Sequence, residues 1–193
     1  MNDLIKLIQK VLDKVYSHLL HDIENEFRHL YGKLSPSVTG IDEAINRVRK
    51  SKTGEWGKSI EFEGDLYSNC NQELLKECLL EAGKIAKLEP TSIDYILNLM
   101  KVSMRHSYFK EPEGIFKTLS GFSMGDNAAA RGSEIILRIY ELQIFKLLHR
   151  KKLDKLINRY LRYRDDVSVH LEGNTDQMLE VIKIITSDIW EIF

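Results

Sequence analysis

The chain has 193 residues, 28 Lys and Arg against 29 Asp and Glu, a formal net charge of −1 and a hydrophobic fraction of 43%. That length suits one domain with an appendage and a core that needs no covalent staples, and the charge balance excludes a globally basic nucleic-acid binder, so any such surface must be local. Cys70 and Cys78 are too few for a disulfide scaffold, no apolar run reaches the length of a membrane span, and Met1-Asn2-Asp3-Leu4-Ile5-Lys6 lacks the apolar core of a signal peptide; the expectation is a reduced, intracellular protein that is not secreted and makes no membrane contact.

Residues 3–31 read as one long amphipathic helix. Leu4, Ile5, Ile8, Val11, Leu12, Val15, Leu19, Ile23, Phe27 and Leu30 recur at steps of three and four, Asp3 is placed to cap it and Gly32 to stop it. So long an apolar stripe must be buried, in a core or against a partner helix. Ser35-Pro36-Ser37 and Gly40 mark a loop, and residues 42–50 a short helix with Ala44, Ile45 and Val48 inward. Ile60 and Phe62 alternate with Glu61 and Glu63, which is strand periodicity ending at Gly64-Asp65.

Leu74, Leu75, Cys78, Leu79, Ala82, Ile85 and Ala86 predict a helix over 72–87, stopped by Pro90. Thr91 or Ser92 would cap the next, carrying Ile93, Ile96, Leu97, Met100, Val102 and Met104. Ile115 to Leu119 form a strand candidate. Gly121-Phe122-Ser123-Met124-Gly125-Asp126-Asn127 is a glycine-rich turn into a long helix with Ala128, Ile135, Ile139, Leu142 and Leu148 on its apolar side. A last helix holds Met178, Leu179, Val181, Ile182, Ile185, Ile189 and Trp190. Strands mixed with amphipathic helices predict an α+β fold, in which 60–62, 115–119, 160–163 and 167–171 join in one antiparallel sheet with helices on one face.

The centre of this pattern is Leu161-Arg162-Tyr163-Arg164-Asp165-Asp166-Val167-Ser168-Val169-His170-Leu171. β-formers flank two aspartates, as in a tight hairpin with the pair at its tip and Arg164 opposite Val167. Asp tolerates the positive φ of a two-residue turn, so turn chemistry alone accounts for the pair. Asp65, at the end of another strand, adds a third carboxylate. Carboxylate oxygens suit Mg²⁺, and two such ions clamp the attacking and leaving oxygens of a phosphoryl transfer. Lys146, Arg150, Lys151, Lys152, Lys155, Arg159, Arg162 and Arg164 form a basic stretch leading to the same place, either a solvated helix end or a phosphate contact. The six histidines show no metal-ligand spacing and read as surface or core residues.

A strand ending in Asp65, then Gly121-Phe122-Ser123-Met124-Gly125-Asp126-Asn127-Ala128 opening a helix, then Tyr163-Arg164-Asp165-Asp166 on a hairpin, resembles the palm of a reverse transcriptase, most of all in the Penelope-like retroelements. That family's third motif is Tyr-x-Asp-Asp after an Arg-Tyr type lead-in, matched by Arg162-Tyr163. Its second is a Gly-x-x-Met-Gly turn into a helix with a distal Glu, matched by Gly121, Met124, Gly125 and Glu141. The likeness spans roughly residues 40–190.

It implies an N-terminal helical arm over 1–50 and a palm over 51–193, with fingers and thumb incomplete. The activity implied is RNA-directed DNA polymerisation on an RNA or DNA template with primer, consuming deoxynucleoside triphosphates. Asp65, Asp165 and Asp166 would be the catalytic and Mg²⁺ (or Mn²⁺) residues. Gly121, Met124, Gly125, Asp126, Asn127, Tyr163 and Arg164 would face nucleotide and template. Two departures stand out: Cys70 occupies the slot where the family places an aromatic, and Arg164 one more often small or apolar. Aligning Leu66-Tyr67-Ser68-Asn69 with the family's Leu-Tyr-Thr-Asn instead brings Glu61 or Glu63 nearer the first ligand position. Two other functions fit the same residues: a catalytically inactive palm that binds nucleic acid or protein, and a helical interaction protein whose Asp-Asp is only a turn.

Overall fold

The computed structural model describes residues 2–32, 35–38, 40–50, 58–61, 72–106, 108–117, 127–164 and 166–187. Their order is α1 (Asn2–Tyr31), α2 (Ile41–Lys50), β1 (Lys58–Glu61), α3 (Gln72–Ile85), α4 (Pro90–Arg105), β2 (Tyr108–Glu111), β3 (Gly114–Lys117), α5 (Asn127–Arg150), a 3-10 turn (Asp154–Leu156), β4 (Ile157–Tyr163), β5 (Asp166–Leu171) and α6 (Thr175–Ser187). The fold is α+β. It divides into two compact units, Met1–Leu34 with Asp65–Ile139, and Ser35–Gly64 with Tyr140–Phe193. The division falls inside α5.

In the first unit α1 packs on α3 and α4, which also pack on each other. The buried stripe of α1 is Ile8, Leu12, Tyr16, Leu19, Leu20, Ile23 and Phe27. Leu4, Val11 and Leu30, expected within it, are exposed. Tyr16 takes the inward position instead, its ring supplying apolar area that an aliphatic count overlooks. The helix starts one residue before Asp3, and Gly32, at φ +63°, ends it by donating its N–H to the Arg28 carbonyl at 2.8 Å. Polar ties join α1 to the first half of α5: Arg131 pairs with Asp13 and donates to Ser17 Oγ at 2.9 Å, and Arg138 reaches Glu24 at 3.2 Å and Glu134 at 2.7 Å.

Lys87, at φ 54°, closes α3: Leu88 N–H donates to the Gly83 carbonyl and Lys87 N–H to Lys84. Gly83 lets α4 come close, since a Cβ there would lie 2.6 Å from Ile93 Cδ1. Pro90 begins α4 rather than merely stopping α3, with Glu89 as the capping position in place of Thr91 or Ser92; proline's fixed φ and missing N–H suit a first helical turn. Val102 is exposed, and Ser103 is buried in its stead.

Ile115 does not join the central sheet. β3 pairs with β2 as a separate hairpin, Tyr108↔Lys117 to Glu111↔Gly114, and Ile115 is exposed. A partner a few residues away closes at less entropic cost than a strand far along the chain.

The second unit holds the antiparallel sheet β1-β5-β4. Register puts Tyr160 and Arg162 of β4 beside Val169 and Val167 of β5, all four buried. The pairing slips between Ile157 and Arg159, where Asn158 is the extra residue of a bulge, so that Ile157 is buried opposite Leu171. The second half of α5 covers this face, with Phe145 stacked on Tyr160 at 5.8 Å and an interplanar angle of 11°. Asn174 Oδ1 caps α6 by accepting from Gln177 N–H at 2.9 Å, and Val181, Ile184 and Ile185 are its buried side.

One expectation gains detail in this unit and one is corrected. Ser35–Val38, expected as a loop, lies in no helix or strand but is buried, with a parallel bridge to β4 at Ser37↔Arg162; Arg47 of α2 donates to the Ser35 carbonyl at 2.6 Å. Ile45 and Val48 of α2 are exposed, and Glu43, Ala44 and Arg47 are half-buried. That anchor on Ser35 sets which side of the helix turns inward.

Candidate active site

The hairpin β4–β5 has the register Tyr163↔Asp166, which leaves two positions, 164 and 165, between its strands. The tip is therefore one residue earlier than the aspartate pair. Asp166 opens β5 and is exposed, and Val167 faces Arg162, not Arg164. Arg164 has φ 56°, the left-handed conformation that two-residue hairpins demand of their first loop residue. Its guanidinium lies 5.5 Å from the centre of the Tyr163 ring, and both side chains are exposed.

β1 reaches the same end of the sheet. It runs antiparallel to β5, and its last residue, Glu61, is registered opposite Asp166. The strand expected around Ile60 does join this sheet, over Lys58–Glu61; its expected continuation through Phe62 to an end at Gly64-Asp65 lies outside the described residues. Asp65 and Asp165 themselves lie outside the described residues, as do Gly121, Met124, Gly125 and Asp126. Asn127 is the first residue of α5. Among the described residues no group of three or more His, Cys, Asp or Glu is gathered for a metal.

Behind the tip, α5 and β4 are joined by a buried ion pair. Arg162 has no exposed surface and Glu141 is 3% exposed. Arg162 Nε donates to Glu141 Oε1 at 2.6 Å and Nη2 to Oε2 at 3.3 Å, the two-pronged match of guanidinium and carboxylate. The third nitrogen, Nη1, donates to the carbonyl of Arg164 at 3.0 Å. The Arg162 backbone is held as well: its N–H donates to the Pro36 carbonyl at 2.9 Å, and its carbonyl accepts from Val38 N–H at 2.8 Å. Glu141 and Arg162 each match a motif on their own; that they form one contact is not written in their spacing of 21 residues.

Tyr160 lies against this pair. Burial pushes its hydroxyl well above the usual tyrosine range; the Glu141 carboxylate pushes the same way and Arg162 opposes it. Among the described residues the hydroxyl has no hydrogen-bond partner. His170 is buried at 3% exposure on β5, a core histidine. The basic stretch does not form one run into the site: Arg162 is engaged by Glu141 and Lys151 pairs with Glu180 at 2.7 Å, while Lys146, Arg150, Lys152 and Lys155 are exposed. No described helix is long and apolar enough to cross a membrane.

These elements make an α+β fold with a β-hairpin tip beside the end of a neighbouring strand. A solved structure that shares it is an apo telomerase from Candida tropicalis, truncated from its C-terminal domain, matched at a TM-score of 0.64 and 20% identity over 92% of this chain. The chain spans 37% of the length of that telomerase chain. At this identity the likeness establishes the fold. No family model matches the sequence, and no curated protein does.

Proposed function

We propose that this chain is the palm of an RNA-directed DNA polymerase, part of a longer retroelement enzyme most like the Penelope-like group. The observation that carries the proposal is the register Glu61↔Asp166 together with Tyr163↔Asp166: the end of β1 and the Tyr163-Arg164-Asp165-Asp166 tip share one end of one sheet. The telomerase-like fold supports the same class.

The residues suit a hard divalent cation. Asp166 is an exposed carboxylate with two oxygen donors at the strand end where Asp65 and Asp165 are expected by sequence. Asp65 and Asp165 would hold Mg²⁺ or Mn²⁺, with Asp166 as a further ligand or supporting carboxylate. Bound there, the ions would stabilise the negative charge that develops as a primer 3′-hydroxyl displaces pyrophosphate from a deoxynucleoside triphosphate.

The chain's own part is placement. Tyr163 and Arg164 would contact primer or incoming nucleotide from the tip. Gly121, Met124, Gly125, Asp126 and Asn127 would underlie template and nucleotide, with glycine permitting close backbone approach. RNA or DNA template with primer and deoxynucleoside triphosphates are the proposed partners, in an intracellular setting.

The test is Mg²⁺- or Mn²⁺-dependent primer extension by this chain and by a version extended at both ends, each with Asp165→Asn. Extension that vanishes with Asp165→Asn is expected. Binding of primer–template without extension in either length would favour an inactive palm that serves as a binding module. A chain indifferent to metal, nucleotide and primer–template would return the aspartates to a purely structural turn.

A further inference from the structure

We propose that Arg162 is a positioning residue, which Glu141 orients so that it fixes the turn at Arg164 on which the acidic tip is mounted; the catalytic part of this role rests on the palm reading above. Three chain segments meet at Arg162. Glu141 of α5 receives two of its guanidinium nitrogens, the third holds the Arg164 carbonyl at 3.0 Å, and Pro36 and Val38 pin its backbone. Arg164 is in the left-handed conformation, which a side chain other than glycine adopts at a cost and keeps only when its surroundings enforce it. The bond to its carbonyl is one such enforcement. A guanidinium presents five donors in a rigid plane, so the two prongs on Glu141 fix where the remaining nitrogen points.

Stability alone is a weak reason for this pair. Two buried charges in contact are commonly no better than well-packed apolar residues of the same size. An apolar pair, however, cannot donate to the Arg164 carbonyl. The apolar swap therefore separates a role in packing from a role in holding the tip.

The experiment compares the wild type, Arg162→Met with Glu141→Leu, and Arg162→Lys, by thermal melting, amide hydrogen exchange and primer extension on the full chain. The double variant should melt close to the wild type. Exchange over residues 163–167 should quicken about tenfold, the loss expected for one charge-assisted hydrogen bond, while exchange over 159–161 and 169–171 stays as it was. In primer extension kcat should fall with KM for the nucleotide little changed. Arg162→Lys keeps the charge but not the fork, and should show the same local loosening; it carries the test should the double variant not fold. Unchanged exchange at 163–167 in the variants overturns the proposal, as does quickening that is uniform across the sheet or primer extension at the wild-type rate. A wild type that extends no primer while its variants still loosen at the tip would leave the mechanical link standing and remove the polymerase reading.

Discussion

Arg162 is a charged side chain without exposed surface, which it tolerates because Glu141 takes two of its nitrogens and a carbonyl the third. Removing one partner leaves the other charged and buried. Glu141→Leu alone should therefore lower stability by about 3–5 kcal/mol, and adding Arg162→Met should recover most of it. Denaturant titration of the two variants measures both numbers. Tyr160, beside the pair, makes a second claim. Its hydroxyl stays protonated in the folded chain, held so first by burial and then by Glu141, whereas tyrosine in the unfolded chain ionises near pH 10. Above that pH the folded state retains a proton that the unfolded state has shed, so stability falls as pH rises; below it Tyr160 contributes no slope. Tyr160→Phe should flatten this alkaline loss. Near neutral pH it should be neutral or stabilising by about 1 kcal/mol, because the hydroxyl it removes lacks a hydrogen-bond partner among the described residues. Melting temperatures of both proteins from pH 7 to 11 check the two halves together.

At the scale of elements, two helices end in the same way on a residue ill suited to it. Lys152 has φ 58°, with Leu153 N–H donating to the Leu148 carbonyl and Lys152 N–H to His149, as Lys87 does at the end of α3. Both are left-handed helix caps, where glycine is preferred for want of a Cβ. Lys152→Gly should stabilise by about 0.5–1 kcal/mol, read from the shift in urea midpoint. The elements also show what periodicity reveals and what it hides. The step of three and four found α1, α3, α4 and α5 because each buries one stripe. The alternation of Tyr160 to Tyr163 and Val167 to Leu171 found the hairpin but missed its tip by one residue, since Asp and Arg both fit the loop's composition while only the register fixes which pair closes it. The placement of β3 failed for another reason. Nothing in Ile115 to Lys117 says which strand it will meet, and the neighbouring Tyr108–Glu111 was hidden in a stretch with no clear alternation.

For the molecule as a whole, the α+β class and the meeting of β1 with the hairpin were legible, because the alternation around Ile60 and the β-formers flanking the hairpin lie on the chain. The Glu141–Arg162 contact was not, because a buried arginine is unusual and its partner lies on another element. Nor was Ser35–Val38 as a paired segment, since Ser, Pro and a nearby Gly carry the signature of a loop.

That short segment has a further consequence. β4 is one of the two outer strands of its sheet, and an outer strand with bare N–H and carbonyl groups invites pairing with another chain. Pro36 and Val38 occupy those groups at Arg162, and Pro36 itself has no N–H to offer a newcomer. The segment works as a selvedge, finishing the cloth where it would otherwise fray into its neighbour. A chain beginning at residue 40 would lose it, together with α1, and should self-associate through β4. Restoring residues 33–39 to that shortened chain separates the two losses: light scattering should fall if the uncovered edge is the cause, and scattering that stays high would place the fault with the missing helix.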